Sequence, residues 1–173
     1  MKISTAPREH AQDGSVQAPG DLHIRKAGTP DVAEMHRIIN HYAGQHLMLP
    51  KAHLQLFENL RDYTVAVSRG GGPVLGCGAL HIYWEDLAEI RAVAVSPDVK
   101  QKGVGTRIVE GLLAEARQYG LAQVFVFTYV PEFFSRFGFI QVEHTTMPLK
   151  VFNECFHCPK FNTCDEIAMV THL

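Results

Sequence analysis

The chain predicts an α/β sandwich built on a mixed, mostly antiparallel sheet. Three observations point there. The elements run strand, helices, a series of strands, then strand–helix–strand. Val104, Ile108, Leu112 and Ala116 recur every four residues, the stripe of a helix with one buried face. Gln123–Thr128 (QVFVFT) is nearly all apolar, as suits a central strand buried on both faces.

Taken in order, Leu22–Lys26 reads as the first strand. Thr29-Pro30-Asp31 reads as a helix start, with a capping threonine and proline in the first turn. Met35, Ile38, Ile39 and Tyr42 give that helix its apolar stripe. A loop over Gly44–Pro50 leads to a second helix, Lys51–Asn59. Tyr63–Ser68 is a strand, and Gly70-Gly71-Gly72-Pro73 can only be a turn. Val74–Trp84 and Leu87–Val95 form a hairpin across Glu85-Asp86. A polar loop, Ser96–Lys102, precedes the striped helix, which opens at Gly103 and closes at Gly120. After the central strand, Pro131–Phe137 is a short helix stopped by Gly138, and Ile140–Glu143 and Glu166–Thr171 are the last strands.

Of the 173 residues, 46% are hydrophobic and 20% charged, which suits one globular domain. The net charge of −2 gives no electrostatic basis for a nucleic-acid partner. No apolar run has the length of a membrane span. Residues 1–20 are polar, lack the apolar core of an export signal, and are expected to form a flexible tail. The domain is expected over residues 21–173, in a reducing cytoplasm, with residues 145–173 a Cys-containing extension. Cys155, Cys158 and Cys164, with His157 among them, offer a tetrahedral zinc set. Structural zinc usually takes two paired knuckles and only one pair is present, so reduced thiols packing a flap are the expectation, with zinc the alternative.

The strongest local signal is Lys100-Gln101-Lys102-Gly103-Val104-Gly105-Thr106, between a strand and a helix. Glycines let backbone approach a ligand closely, a helix start offers unpaired N–H groups and a positive dipole end, and two lysines add charge. Together they suit a pyrophosphate cradle, although an ordinary strand–loop–helix joint would look similar. The spacing fits neither a Walker loop nor the dinucleotide fingerprint, whose third glycine would fall at Ile108.

AEIRAVAVSPDVKQKGVGTRIVEGLL resembles the acetyl-CoA motif of the GNAT superfamily, with Lys100 where arginine or glutamine is usual. VFVFT followed by EFFSRFGF resembles that superfamily's second element. The resemblance implies a three-layer α/β/α sandwich. It also implies that the pantetheine arm of acetyl-CoA pairs with Val93, Ala94 and Val95 like an added strand, and that the amides from Gln101 to Thr106 hold the pyrophosphate. More narrowly, LGCGALHIYWEDLAEIRAVAV and YAGQHLMLPKAHLQLFENLRDYTVA resemble the short, stand-alone N-acetylglutamate synthases of arginine biosynthesis.

That resemblance implies an amino-acid N-acetyltransferase acting on glutamate. Glutamine, another amino acid or a small amine is the alternative acceptor, and a non-catalytic acetyl-CoA-binding regulator the alternative class. A protonated α-amine needs a base. Glu89 matches the acidic residue of those synthases, and strand alternation puts Arg91 on the same face. The pair suits a base with a carboxylate-binding or tuning arginine, and equally a structural ion pair. By analogy with the superfamily, the Val93 N–H is the oxyanion donor. Lys51, in the substrate-side segment, is the candidate for the substrate's carboxylate, with a solvated surface charge the alternative. The tyrosine that many relatives use as acid is replaced by Phe134, which leaves Tyr129 or water for that task. The oligomeric state is not legible, and a homodimer is left open.

Overall fold

The computed structural model describes residues 22–99, 103–147, 156 and 161–173. The strands are β1 (Leu22–Lys26), β2 (Tyr63–Ser68), β3 (Val74–Ile82), β4 (Leu87–Val95), β5 (Gln123–Thr128), β6 (Ile140–Gln141) and β7 (Ile167–His172). The helices are α1 (Val32–Ala43), α2 (His53–Glu58), α3 (Val104–Gln118) and α4 (Pro131–Ser135). The strands form one sheet in the order β1-β2-β3-β4-β5-β7-β6. Among the described residues only the β4–β5 pairing is parallel.

Two cores flank the sheet. On one face α3 buries Val104, Ile108, Leu112 and Ala116 against Ala88, Ile90, Val124 and Val126. On the other, α1 buries Val32, Met35, Ile38 and Ile39 against Val65, Cys77 and Ala79. Each Val, Leu, Ile or Met among them contributes about 1.5–3 kcal/mol on burial. Close packing of α3 on β3 is possible because Gly78 has no side chain. A Cβ there would lie 2.9 Å from Ile108 Cγ2 and 3.1 Å from Leu112 Cδ1. The C-terminus of α3 is closed by Gly120 at φ 72°: Gly120 N–H donates to Arg117 O (3.0 Å) and Leu121 N–H to Ala116 O (3.1 Å).

Several expected boundaries shift for local reasons. Thr29 does not cap the first helix. A 3-10 turn, Thr29–Asp31, precedes α1, and the Asp31 carboxylate reaches back to accept the Gly28 N–H at 2.7 Å. The second helix begins at His53 rather than Lys51, because Asn40 of α1 holds Lys51 outside it. Asn40 Nδ2 donates to Lys51 O (2.9 Å), and Lys51 N–H donates to Asn40 Oδ1 (3.3 Å). The expected strand at residues 140–143 stops at Gln141, since the chain turns into a 3-10 segment at His144. The expected tail and most of the C-terminal extension lie outside the described residues.

Asp31 is a stabilising carboxylate with a defined pH signature. It accepts two hydrogen bonds from Arg25, at 2.6 and 2.9 Å. Those bonds hold its carboxyl below the usual range, against the opposing effect of burial, and the Gly28 N–H adds to the lowering. A depressed folded-state pKa gives stability that is present above the unfolded pKa and lost as pH falls through the folded one. Asp31→Asn is therefore expected to cost about 1–2 kcal/mol at pH 7. The difference between the thermal melts of the two proteins should begin to shrink below about pH 4 and close only below the depressed pKa of the Asp31 carboxyl.

Candidate active site

β4 and β5 pair only from Leu87↔Gln123 to Glu89↔Phe125, after which they separate. The gap opens a cavity of about 440 Å³. One wall is β4 from Glu89 to Val95, and the other is the end of β5 with Phe127, Thr128 and Tyr129. Tyr42, Met48 and Lys51 close one side, while Gly105, Phe133 and Phe134 close another.

A bulge sets the strand's facing. Ala79 pairs with Arg91 and Cys77 with Ala94, so Gly78 faces both Ala92 and Val93. Ala92 adopts φ 52°, a left-handed conformation unusual for alanine. The extra residue reverses the alternation. Before it, Ala88 and Ile90 face α3, and beyond it Val93 and Val95 do. Glu89 and Arg91 consequently lie on the α1 side.

Lys51, Glu89, Arg91, Val93, Ala94, Val95 and Gly105 all line this one cavity. Gly103 stands just before α3 in a left-handed conformation (φ 89°), and a Cβ there would meet nothing within 4 Å. Val104 turns its side chain into the core, so its backbone alone can serve a ligand. Thr106 lies in the first turn of α3. Lys100, Gln101 and Lys102 lie outside the described residues, as do Cys155 and Cys158, while Cys164 is exposed. Among the described residues no group of three or more His, Cys, Asp or Glu is placed to hold a metal.

Sequence reasoning missed the surroundings of the charged pair. The Tyr83 hydroxyl donates to Glu89 Oε2 at 3.2 Å. Arg91, with 9% of its side chain exposed, directs Nη2 toward Asp62 Oδ2 at 3.7 Å. The same carboxylate oxygen lies 2.6 Å from His81 Nδ1, which makes His81 a partnered histidine. Glu166 also faces the cavity. The Tyr129 hydroxyl donates to Asp165 at 2.7 Å. Phe134 is buried against Phe133 and Phe139. Cys77 is fully buried, and burial pushes its thiol up to about 12, so it stays protonated at neutral pH and cannot serve as a nucleophile. No helix among the described residues is long and apolar enough to cross a membrane.

The mixed sheet splits beside a bulged strand, with a glycine-started helix at the cleft's mouth. The chain belongs to the Acetyltransferase (GNAT) family, whose pattern matches residues 30–139. It is an N-acetyltransferase that uses acetyl-CoA. An uncharacterised N-acetyltransferase of Chlorobaculum tepidum is 39% identical over 153 residues, covering 88% of this chain and 97% of that protein. An amino-acid acetyltransferase of Mycobacterium tuberculosis is 42% identical over 132 residues, covering 76% of this chain and 75% of that one. The crystal structure of Rv2747 from Mycobacterium tuberculosis, in complex with CoA and NLQ, superposes with a TM-score of 0.76 at 36% identity. That match covers 87% of this chain and 99% of Rv2747.

Proposed function

We propose that this enzyme acetylates the α-amino group of L-glutamate by direct transfer from acetyl-CoA, the first step of arginine biosynthesis. The carrying observation is that one cavity gathers Glu89, Lys51 and Arg91 beside the exposed end of β4. A carboxylate and two cations in one place are what an amino acid with an ammonium and carboxylates requires. The similarity to an amino-acid acetyltransferase supports the same class of acceptor.

In this mechanism Glu89 takes a proton from the acceptor's ammonium, directly or through water. The neutral amine attacks the thioester carbonyl, and the Val93 N–H donates to the oxygen that gains charge. The tetrahedral intermediate collapses by breaking the C–S bond, and the second proton of the former amine passes to water or to the departing CoA thiolate, which leaves a neutral amide and CoA. A thiol of pKa ~8.5 departs readily, so this step needs no dedicated acid.

One observation favours a second acceptor. Glu166 and Glu89 balance the two cations, and Arg91 already faces Asp62. A cavity with that balance also suits glutamine, whose side chain carries no charge. Lys51→Ala tests the shared part of both readings. It is expected to raise the acceptor KM about tenfold, one charge-assisted hydrogen bond, with the acetyl-CoA KM unchanged. An acceptor KM equal to that of the wild type would return Lys51 to a solvated surface role.

A further inference from the structure

We propose that Arg37 and Tyr42 of α1 are positioning residues for acetyl-CoA, fixing the end of the donor strand and the start of the loop that follows it. The need arises from the cleft itself. Beyond Glu89, β4 has lost its β5 neighbour, and among the described residues the sheet holds it through β3 alone, by Leu80↔Ile90, Ala79↔Arg91, Cys77↔Ala94 and Gly76↔Val95. After Val95 the chain leaves the sheet, with Ser96 N–H donating to Leu75 O at 2.8 Å.

α1 supplies the missing restraint. The Tyr42 hydroxyl donates to Val95 O at 2.7 Å, from a ring that lines the cavity. One turn earlier, Arg37 Nη2 donates to Ser96 Oγ at 3.0 Å, and Ser96 is buried. Arg37 Nη1 lies 3.3 Å from Asp98. Val95, Ser96 and Asp98 are thus held by two side chains of one helix. The arginine is itself steadied, since Glu34 accepts from its Nε at 3.0 Å and from Nη2 at 2.7 Å. The helix is a firm base, because Val32, Met35, Ile38 and Ile39 are almost completely buried.

Tyr42 also reaches the acceptor side. Its carbonyl accepts from Gln45 N–H at 3.0 Å and from Leu47 N–H at 3.1 Å, the first residues of the loop that carries Met48 and Lys51 into the cavity. One residue therefore touches the donor strand through its hydroxyl and the acceptor loop through its backbone. Removing the hydroxyl leaves the backbone contacts in place, so the two roles can be separated. The proposal rests on the donor lying along β4, and Gly103→Val tests the pyrophosphate end of that donor separately.

Binding of acetyl-CoA by calorimetry is the readout. Arg37→Gln and Tyr42→Phe are each expected to weaken acetyl-CoA about three- to tenfold, the worth of one hydrogen bond. Turnover at saturating acetyl-CoA should stay within about twofold, since neither group touches the reacting atoms. Arg37 is half exposed, and Tyr42 loses a single oxygen, so both variants should fold. A cycle with Ser96→Ala adds a measure that general destabilisation does not move. If Arg37 acts through Ser96, the double variant binds acetyl-CoA no more weakly than the worse single variant. Wild-type affinity in both folded variants would overturn the proposal, and additive losses in the cycle would overturn the Arg37–Ser96 route.

Discussion

Glu89→Gln is expected to lower turnover at neutral pH by roughly 10²–10⁴, the usual contribution of a positioned base. Glutamine nearly preserves the shape and still offers an oxygen to the Tyr83 hydroxyl, which donates to Glu89 Oε2 at 3.2 Å. Acetyl-CoA affinity should therefore hardly change. The loss should shrink as pH rises toward the α-amine's own pKa, which lies above the ~8 of a peptide α-amino group, because solvent then removes the proton unaided. Turnover and melting temperature followed from about pH 6.5 to about pH 9.5 separate the two readings of this residue. A structural partner of its neighbours would show a lower melting point and a constant ratio of rates across the range. That outcome would return Glu89 to scaffolding.

Gly103→Val is expected to abolish measurable acetyl-CoA binding in a protein that still folds. At φ 89° the position lies in the left-handed region, where a β-branched residue is strained. A Cβ would meet nothing within 4 Å, so the valine collides with no protein atom and projects into open space at the start of α3. If the pyrophosphate of acetyl-CoA sits on the free N–H groups of this helix start, the valine side chain crowds it. Relief of the strain by turning the backbone would redirect those same N–H groups. Either response removes the site, at a stability cost of about 1–2 kcal/mol. Gly103→Asn, which tolerates this conformation better, should bind acetyl-CoA more tightly than the valine variant. Equal affinity in wild type and a folded Gly103→Val protein would end the pyrophosphate assignment.

Much of this architecture was legible because it rests on local pattern. The four-residue recurrence from Val104 to Ala116 gave the buried face of α3, and Gly120 marked its end in the position where a left-handed residue is needed. The apolar QVFVFT segment became β5, flanked by strands on both sides. The glycine-rich joint before α3 was visible in the same way. The site's finer geometry was not, because it depends on tertiary register. Nothing in Ala-Val-Ala-Val marks Ala92 as the bulged residue, since the left-handed backbone there arises from how β4 pairs across Gly78. The Tyr42–Val95 bond spans 53 positions, and Tyr42 read only as one more apolar residue on a helix stripe. Asp62, His81 and Arg91 come from three separate elements and meet only when β3 and β4 are in register beside the 3-10 turn at Leu60–Asp62. Caps were misjudged for a related reason. Thr29 had the right chemistry for a cap, but no side chain makes a cap hydrogen bond to α1, and the Asp31 carboxylate, anchored by Arg25, instead accepts the Gly28 N–H three positions back.

The acceptor is the claim on which the functional account turns, and it can be tested with the unmodified enzyme. Release of CoA from acetyl-CoA would be followed with glutamate, glutamine, spermidine and a short peptide offered separately and in competition. The cations Lys51 and Arg91 in the cavity predict that glutamate has the highest kcat/KM, with spermidine and the peptide at least about tenfold poorer. Glutamine ahead of glutamate would keep the α-amine chemistry and replace the acceptor, whereas preference for spermidine or the peptide would contradict the account and leave only the family assignment standing.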